Sequence, residues 1–169
     1  MMPPVVTVVA RSGTGKTTLL EKLIAELKRR GYRVAAIKHD AHSFSIDHEG
    51  KDSWRLTRAG ADTMLIASPQ QIAMVRQNPE GVEPPLAECI AAYCGDVDIV
   101  LTEGFKRSEM PKIEVHRKAR GEPLLCRGET HDPTLIAVAS DVRLELDVPC
   151  FDLDDPAAVA DFLEERFLR

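Results

Sequence analysis

An α/β fold with a mainly parallel sheet flanked by helices is predicted for this 169-residue chain by three observations. Residues 5–38 read strand, loop, helix, strand. Short apolar runs of strand type then keep alternating with stretches of helical spacing. One pair of such runs flanks a Ser-Pro-Gln turn, which adds an antiparallel hairpin at one side.

The elements follow in order. Residues 5–10, VVTVVA, form a β-branched apolar run of the kind that is buried on both faces of a sheet. After a glycine-rich loop, Leu19, Leu20, Leu23, Ile24 and Leu27 recur at three- and four-residue spacing, one face of a helix. Lys28, Arg29 and Arg30 fall in its last turn, where the helix dipole favours cations, and Gly31 suits the residue just past the end. Residues 33–38 give a second strand, joined to the first by a right-handed crossover if the two are parallel. A polar stretch leads into a helix that Gly60 ends. Residues 63–67 and 71–75 make the hairpin around Ser68, Pro69 and Gln70. Pro84 and Pro85 precede a helix over 86–94. Residues 99–103 read as another buried strand, and 112–116, KIEVH, alternate like a half-exposed one. Further strands are expected at 134–139 and 150–153. Pro156 opens a terminal helix with Val159, Phe162, Leu163 and Phe167 on one face. With no repeat or convincing linker, residues 1–169 are expected to form a single domain.

Charge narrows the function classes. The 22 basic and 27 acidic residues leave a net charge of -5, against a dedicated nucleic-acid binder. Residues 105–128 nevertheless carry seven Lys/Arg against three Asp/Glu, a strip suited to a phosphorylated ligand or acidic partner, or simply to a solvated loop. The four cysteines form no C-x-x-C pair and read as reduced thiols. The run 5–10 is too short for a signal peptide and nothing approaches membrane-spanning length, so a cytoplasmic location is expected.

The chemistry concentrates in ARSGTGKTT, residues 10–18. The run fits G-x-x-x-x-G-K-[ST] with Ala10 at the first position. Gly13 and Gly15 let the backbone curl so that successive N–H groups face one anion. Ser12, Gly13, Thr14, Gly15, Lys16, Thr17 and Thr18 are the candidate phosphate-binding residues; Lys16 reaches the β- and γ-phosphates and the Thr17 hydroxyl takes a Mg²⁺ position. A strand before the loop and an amphipathic helix after it supply the context this motif needs, and the helix adds its positive end. The prediction is a P-loop NTPase fold. Glu103, at the end of the 99–103 strand and followed by Gly104, is the candidate second Mg²⁺ ligand. Asp40, after the second strand, is a candidate for the magnesium shell or for positioning water. Asp98, at the opposite end of its strand, reads as structural.

The Asn-Lys-x-Asp run of guanine-specific loops is absent. Ser140 and Asp141, just past a buried strand, are candidates for reading the base; an acid capping a turn fits the sequence equally well. His39, His42 and His48 lie near Asp40 and Asp47, but their spacing matches no standard metal set and reads better as polar loop residues near phosphates.

Taken together, SGTGKTTLLEKLI, IKHDAH, DHEGKDSWRLTRAGA, DIVLTEGFK, PKIEVHR and IAVASDV occur in that order over nearly the whole chain. In them the sequence resembles the molybdopterin-guanine dinucleotide biosynthesis adapter family, MobB. The resemblance implies a GTP-binding, weakly GTP-hydrolysing homodimer that uses Mg²⁺. It would assist a MobA-type guanylyltransferase, which attaches a guanine nucleotide to molybdopterin. It also makes the run containing Asp47, Gly50, Lys51 and Asp52 a switch-like or partner segment. Many dimeric NTPases of this general fold carry an extra lysine early in the loop that reaches the partner's site; Arg11 and Ser12 stand there instead. Slow intrinsic hydrolysis is therefore expected. Two rival readings share the same loop: a small-molecule kinase with Arg117, Arg120 and Arg127 as a lid, and a non-catalytic nucleotide-dependent binding module.

Overall fold

A computed structural model of the chain describes residues 2–40 and 44–169. In chain order the elements are β1 (Val5–Val9), α1 (Lys16–Arg29), β2 (Val34–Lys38), α2 (Asp52–Arg58), β3 (Thr63–Ala67) and β4 (Ile72–Arg76). Then come α3 (Leu86–Tyr93), β5 (Ile99–Glu103), β6 (Lys112–His116), β7 (Leu135–Ser140), β8 (Cys150–Asp152) and α4 (Pro156–Leu163). The chain is organised as two compact units, residues 40–86 forming one and the remainder the other.

The larger unit is built on a six-stranded sheet in the order β2-β5-β1-β6-β7-β8, every neighbouring pair parallel. The sequence dictates this: β1, β5 and β7 are mostly apolar on both faces, with the polar Glu103 and Ser140 only at the carboxyl ends of β5 and β7. Because all strands run the same way, their carboxyl ends share one edge. Chain connections leave β1 toward β2 on one side and toward β6, β7 and β8 on the other, so the order reverses at β1. That is the topological switch point, where open α/β sheets bind ligands.

Helix α1 buries Leu19, Leu20, Leu23 and Leu27 on the sheet, and α4 joins the same cluster with Val159, Ala160 and Leu163. Full burial of such a side chain is worth about 1.5–3 kcal/mol, so this face anchors the phosphate-loop helix. The opposite face holds Val9, Cys126, Leu135 and Val138, covered by Leu124, Leu125, Leu144, Leu146 and Val148 from coil segments. Asp155 caps α4, accepting a hydrogen bond from the Ala158 N–H at 3.0 Å, and Pro156 follows it at the first helical position.

One expectation is corrected. Strand β6 is not half-exposed: Lys112, Ile113, Glu114 and Val115 are all buried. It lies between β1 and β7, and its charges are satisfied internally. Lys112 Nζ donates to the Ser108 carbonyl (2.5 Å) and Thr134 Oγ1 (2.6 Å), and pairs with Asp132 at 3.0 Å. Glu114 accepts the Leu125 and Cys126 backbone N–H groups at 2.5 and 2.9 Å. Asp98 is structural as expected, with its carboxylate on Arg33 at 3.0 Å. Arg30 does more than end a helix: it pairs with Glu26, Asp161 and Glu164, tying α1 to α4.

In the smaller unit β3 and β4 pair antiparallel, Thr63 opposite Arg76 and Ala67 opposite Ile72. Ser68 Oγ accepts the Gln70 and Gln71 N–H groups at 3.2 Å and shapes the turn. Leu65, Ile66, Ile72 and Met74 are exposed on this hairpin.

Candidate functional site

The site is assembled at the carboxyl edge of the sheet from the ends of β1, β5, β6 and β7. The loop after β1 turns through Gly13 and Gly15, whose φ values of 71° and 105° are strained for any residue with a Cβ. Thr14 is buried and its hydroxyl donates to the Arg11 carbonyl at 2.6 Å, closing the loop on itself. Gly15 is the N-cap of α1, with no side chain capping the helix, so the first-turn N–H groups and the positive dipole end remain available to an anion. Lys16 opens the helix.

From β5 comes the acid. Glu103 stands in register with Val8 of β1 and Lys38 of β2. Its Oε2 accepts a hydrogen bond from Thr17 Oγ1 at 3.1 Å. Two residues 86 positions apart, each picked from sequence for a hard cation, thus touch. A hydroxyl and a carboxylate oxygen are the donor types Mg²⁺ takes from a protein, the rest of its shell being water and phosphate. Behind Glu103 the chain bends tightly: Gly104 has φ 99°, and a Cβ there would come 3.0 Å from that of His39. His39 in turn donates its backbone N–H to the Glu103 carbonyl at 2.9 Å. The glycine after the acid is therefore required by close approach and by conformation together.

From β6 come two arginines that grip the outside of the phosphate loop. Arg117 Nε donates to the Thr14 carbonyl at 3.0 Å and Arg120 Nη2 to the Ser12 carbonyl at 2.7 Å. The contact is returned by Arg11, whose Nε donates to the Pro123 carbonyl at 3.0 Å. Sequence reasoning placed Arg117 and Arg120 in a basic strip but missed these roles; their spacing carried no signal for a partner more than 100 residues back. Arg127, grouped with them as a lid, is elsewhere: it pairs with Asp147 at 2.7 Å and donates to the Cys126 and Asp132 carbonyls.

From β7 comes Ser140, buried, with Oγ 3.0 Å from His116 Nδ1 and accepting the Val142 N–H at 3.2 Å. Asp141 is exposed, and its Oδ1 accepts the Lys118 backbone N–H at 2.9 Å. Electrostatically the edge is cationic, with Arg11, Lys16, Arg117 and Arg120 around one loop. Asp154 is held below the usual carboxylate range chiefly by its hydrogen bond from Lys22, on the same helix α1. Cys126 is pushed up to about 12, by burial first and by Glu114 second, so it is no thiolate nucleophile.

The remaining candidates lie in the smaller unit. Asp40 and Lys51 are exposed there, Asp47 Oδ1 accepts the His48 N–H at 2.8 Å, Gly50 has φ 87°, and Lys51 and Asp52 begin α2. His42 lies outside the described residues. Among the described residues no three His, Cys, Asp or Glu side chains converge as a metal cluster.

Residues 5–141 match the sequence profile of MobB, the molybdopterin guanine dinucleotide synthesis protein B family. The molybdopterin-guanine dinucleotide biosynthesis adapter protein of Escherichia coli is 42% identical over 97% of this chain and 93% of its own length. That of Haemophilus influenzae is 39% identical over 95% and 88% respectively. A crystal structure of a molybdopterin-guanine biosynthesis protein B superposes with a TM-score of 0.75 at 28% identity, covering 98% of this chain and 99% of the other. A P-loop fold carrying this set of residues, with relatives of this identity along its whole length, places the chain in the MobB family.

Proposed function

We propose that the chain is a GTP-binding, weakly GTP-hydrolysing adapter that assists a MobA-type guanylyltransferase in attaching GMP to molybdopterin. The observation that carries this reading is the meeting of Thr17 and Glu103 beside a glycine-shaped loop at the sheet's switch point, in a chain of the MobB family.

In this reading the loop N–H groups and Lys16 hold the β- and γ-phosphates, and Thr17 and Glu103 hold Mg²⁺, which neutralises charge between those phosphates. Asp141 accepts hydrogen bonds from the guanine edge, with Ser140 beside it. Slow turnover is supported by Arg11, which stands where a trans-acting lysine is expected and is instead bonded to Pro123 within its own chain. The kinase reading loses its lid, because Arg117 and Arg120 are bonded to loop carbonyls and Arg127 to Asp147. The homodimer is supported by the apolar side chains exposed on the β3–β4 hairpin, a two-stranded element that is marginal alone. The 47–53 run is assigned to the guanylyltransferase or molybdopterin side of the adapter. The acidic net charge leaves nucleic acid out, and no helix among the described residues is long and apolar enough to cross a membrane; the assigned location is the cytoplasm.

The experiment is triphosphate binding with Mg²⁺ by wild type, Lys16→Ala and Glu103→Gln. Lys16→Ala is expected to lose about 100-fold or more in affinity, as a charge-assisted contact to phosphate is removed. Glu103→Gln is expected to bind triphosphate without its Mg²⁺ dependence. Unchanged affinity in Lys16→Ala contradicts the phosphate-loop role. Hydrolysis by the wild type alone is expected to stay well below the roughly 10 per second of an ordinary enzyme.

A further inference from the structure

Three consecutive residues at the end of β6 hold three different parts of the site. His116 Nδ1 meets Ser140 Oγ, Arg117 Nε donates to the Thr14 carbonyl, and the Lys118 N–H donates to Asp141 Oδ1. The first and third contacts go to the end of β7, where His116 is in register with Ser140. The middle contact goes the other way, to the loop that follows β1, the neighbour on the opposite side of β6. Residues 116–118 therefore strap the phosphate loop to the turn that carries Asp141.

We propose that Arg117 is a positioning residue that couples the grip on the phosphates to the reading of the base. This rests on the GTP-binding reading above. A trans peptide is planar, with its C=O and N–H pointing in opposite directions. Holding the Thr14 carbonyl from outside thus aims the Gly15 N–H inward, toward the anion. The Gly15 position is shaped by the same side chain: a Cβ there would lie 3.4 Å from Arg117 Nη2. Arg117 is half-buried, and its side chain holds the loop through Nε while the N–H of the next residue holds the turn. On the other side of the strap, the Lys118 N–H fixes the orientation of the Asp141 carboxylate. That carboxylate keeps acceptor capacity for paired N–H donors. The guanine edge offers such donors, whereas adenine presents an acceptor at the ring nitrogen.

Arg120 is the internal contrast. It holds the Ser12 carbonyl, and so the Gly13 N–H, in the same way, yet neither it nor its neighbours bond to the Ser140 and Asp141 turn. A brace alone acts on every triphosphate equally; a strap also acts on the base.

The test compares affinities for GTP, ATP and inorganic tripolyphosphate, each with Mg²⁺, in wild type, Arg117→Ala, Arg117→Lys and Arg120→Ala, with circular dichroism confirming the fold. Arg117→Ala is expected to lose about tenfold or more for GTP, the loss attached to one charge-assisted hydrogen bond, and less for ATP and tripolyphosphate. The GTP-over-ATP ratio should shrink. Arg120→Ala should weaken all three ligands by one common factor and keep that ratio. Arg117→Lys, which keeps the charge but not the Nε that holds the Thr14 carbonyl, should regain tripolyphosphate affinity without regaining the ratio, and it carries the test if the alanine variant does not fold. A common factor for all three ligands in the Arg117 variants, or no loss, overturns the proposal while leaving GTP binding in place. A wild type with no preference for GTP overturns the guanine reading, and this proposal with it.

Discussion

Lys112 shows how far a single side chain can mislead from sequence and inform from structure. In KIEVH it marks a solvent face; folded, it is 2% exposed and holds Ser108, Thr134 and Asp132. The alternating pattern is the same in both cases, and the carboxylate that decides between them lies 20 residues on, in a coil. Asp132 is pushed up by burial, but its hydrogen bonds from Thr134 and Lys112 outweigh that and hold it below the usual carboxylate range. Removing the cation leaves a mostly buried carboxylate without its countercharge, held only by the Thr134 hydrogen bonds. Lys112→Met is therefore expected to destabilise by about 3 kcal/mol, measured by denaturant unfolding; a change within about 0.5 kcal/mol would mean the network holds nothing together. Glu26 gives a pH signature. Hydrogen bonds from Arg29 and Arg30 lower its carboxyl from 4.5 to about 2. A lowered folded value stabilises above the unfolded value and is lost as pH falls through the folded one. The difference in melting temperature between wild type and Glu26→Gln should therefore be full above pH 4.5 and vanish toward about pH 2. A gap that is constant with pH would show that the ion pair contributes nothing.

At the scale of elements, local signals were legible and long-range ones were not. The β1, loop and α1 unit was readable because its pattern lies within 25 residues: an apolar run, two glycines, a lysine and a leucine stripe. The bounds of β5 and β6 were readable from their flanking polar residues, and the Thr17 and Glu103 pair from the loop motif and an acid at the end of a buried-type strand. The contacts of Arg117, Arg120 and Arg30 span 103, 108 and over 120 residues, and no local spacing announces them. The leucine stripe is also what fixes the phosphate loop in space. Leu23 is fully buried between α1 and the sheet. Leu23→Ala is expected to cost about 2–5 kcal/mol in thermal unfolding while leaving nucleotide affinity near wild type below the transition. Affinity that falls with stability intact would mean that α1 is held by something other than this core.

At the scale of the whole molecule, the parallel sheet carries the candidate site at its carboxyl edge, and the 40–86 unit supplies apolar surface. Leu65, at 58% exposure, and Ile72, at 71%, lie on a hairpin with no third strand. The Leu65→Lys/Ile72→Lys variant is expected to shift the mass seen by light scattering from dimer to monomer. A wild type that is already monomeric, or a variant that stays dimeric, removes the hairpin from the interface.

On the proposed function, this edge holds GTP through its phosphates and selects it through Asp141. Calorimetric titration of GTP against ATP with Mg²⁺, for wild type and Asp141→Ala, is the decisive measurement. Wild type is expected to prefer GTP by about tenfold or more, as two hydrogen bonds to a carboxylate would give, and Asp141→Ala to lose that preference while still binding both triphosphates. Equal affinity of the wild type for the two nucleotides, or an undiminished preference in Asp141→Ala, would contradict it.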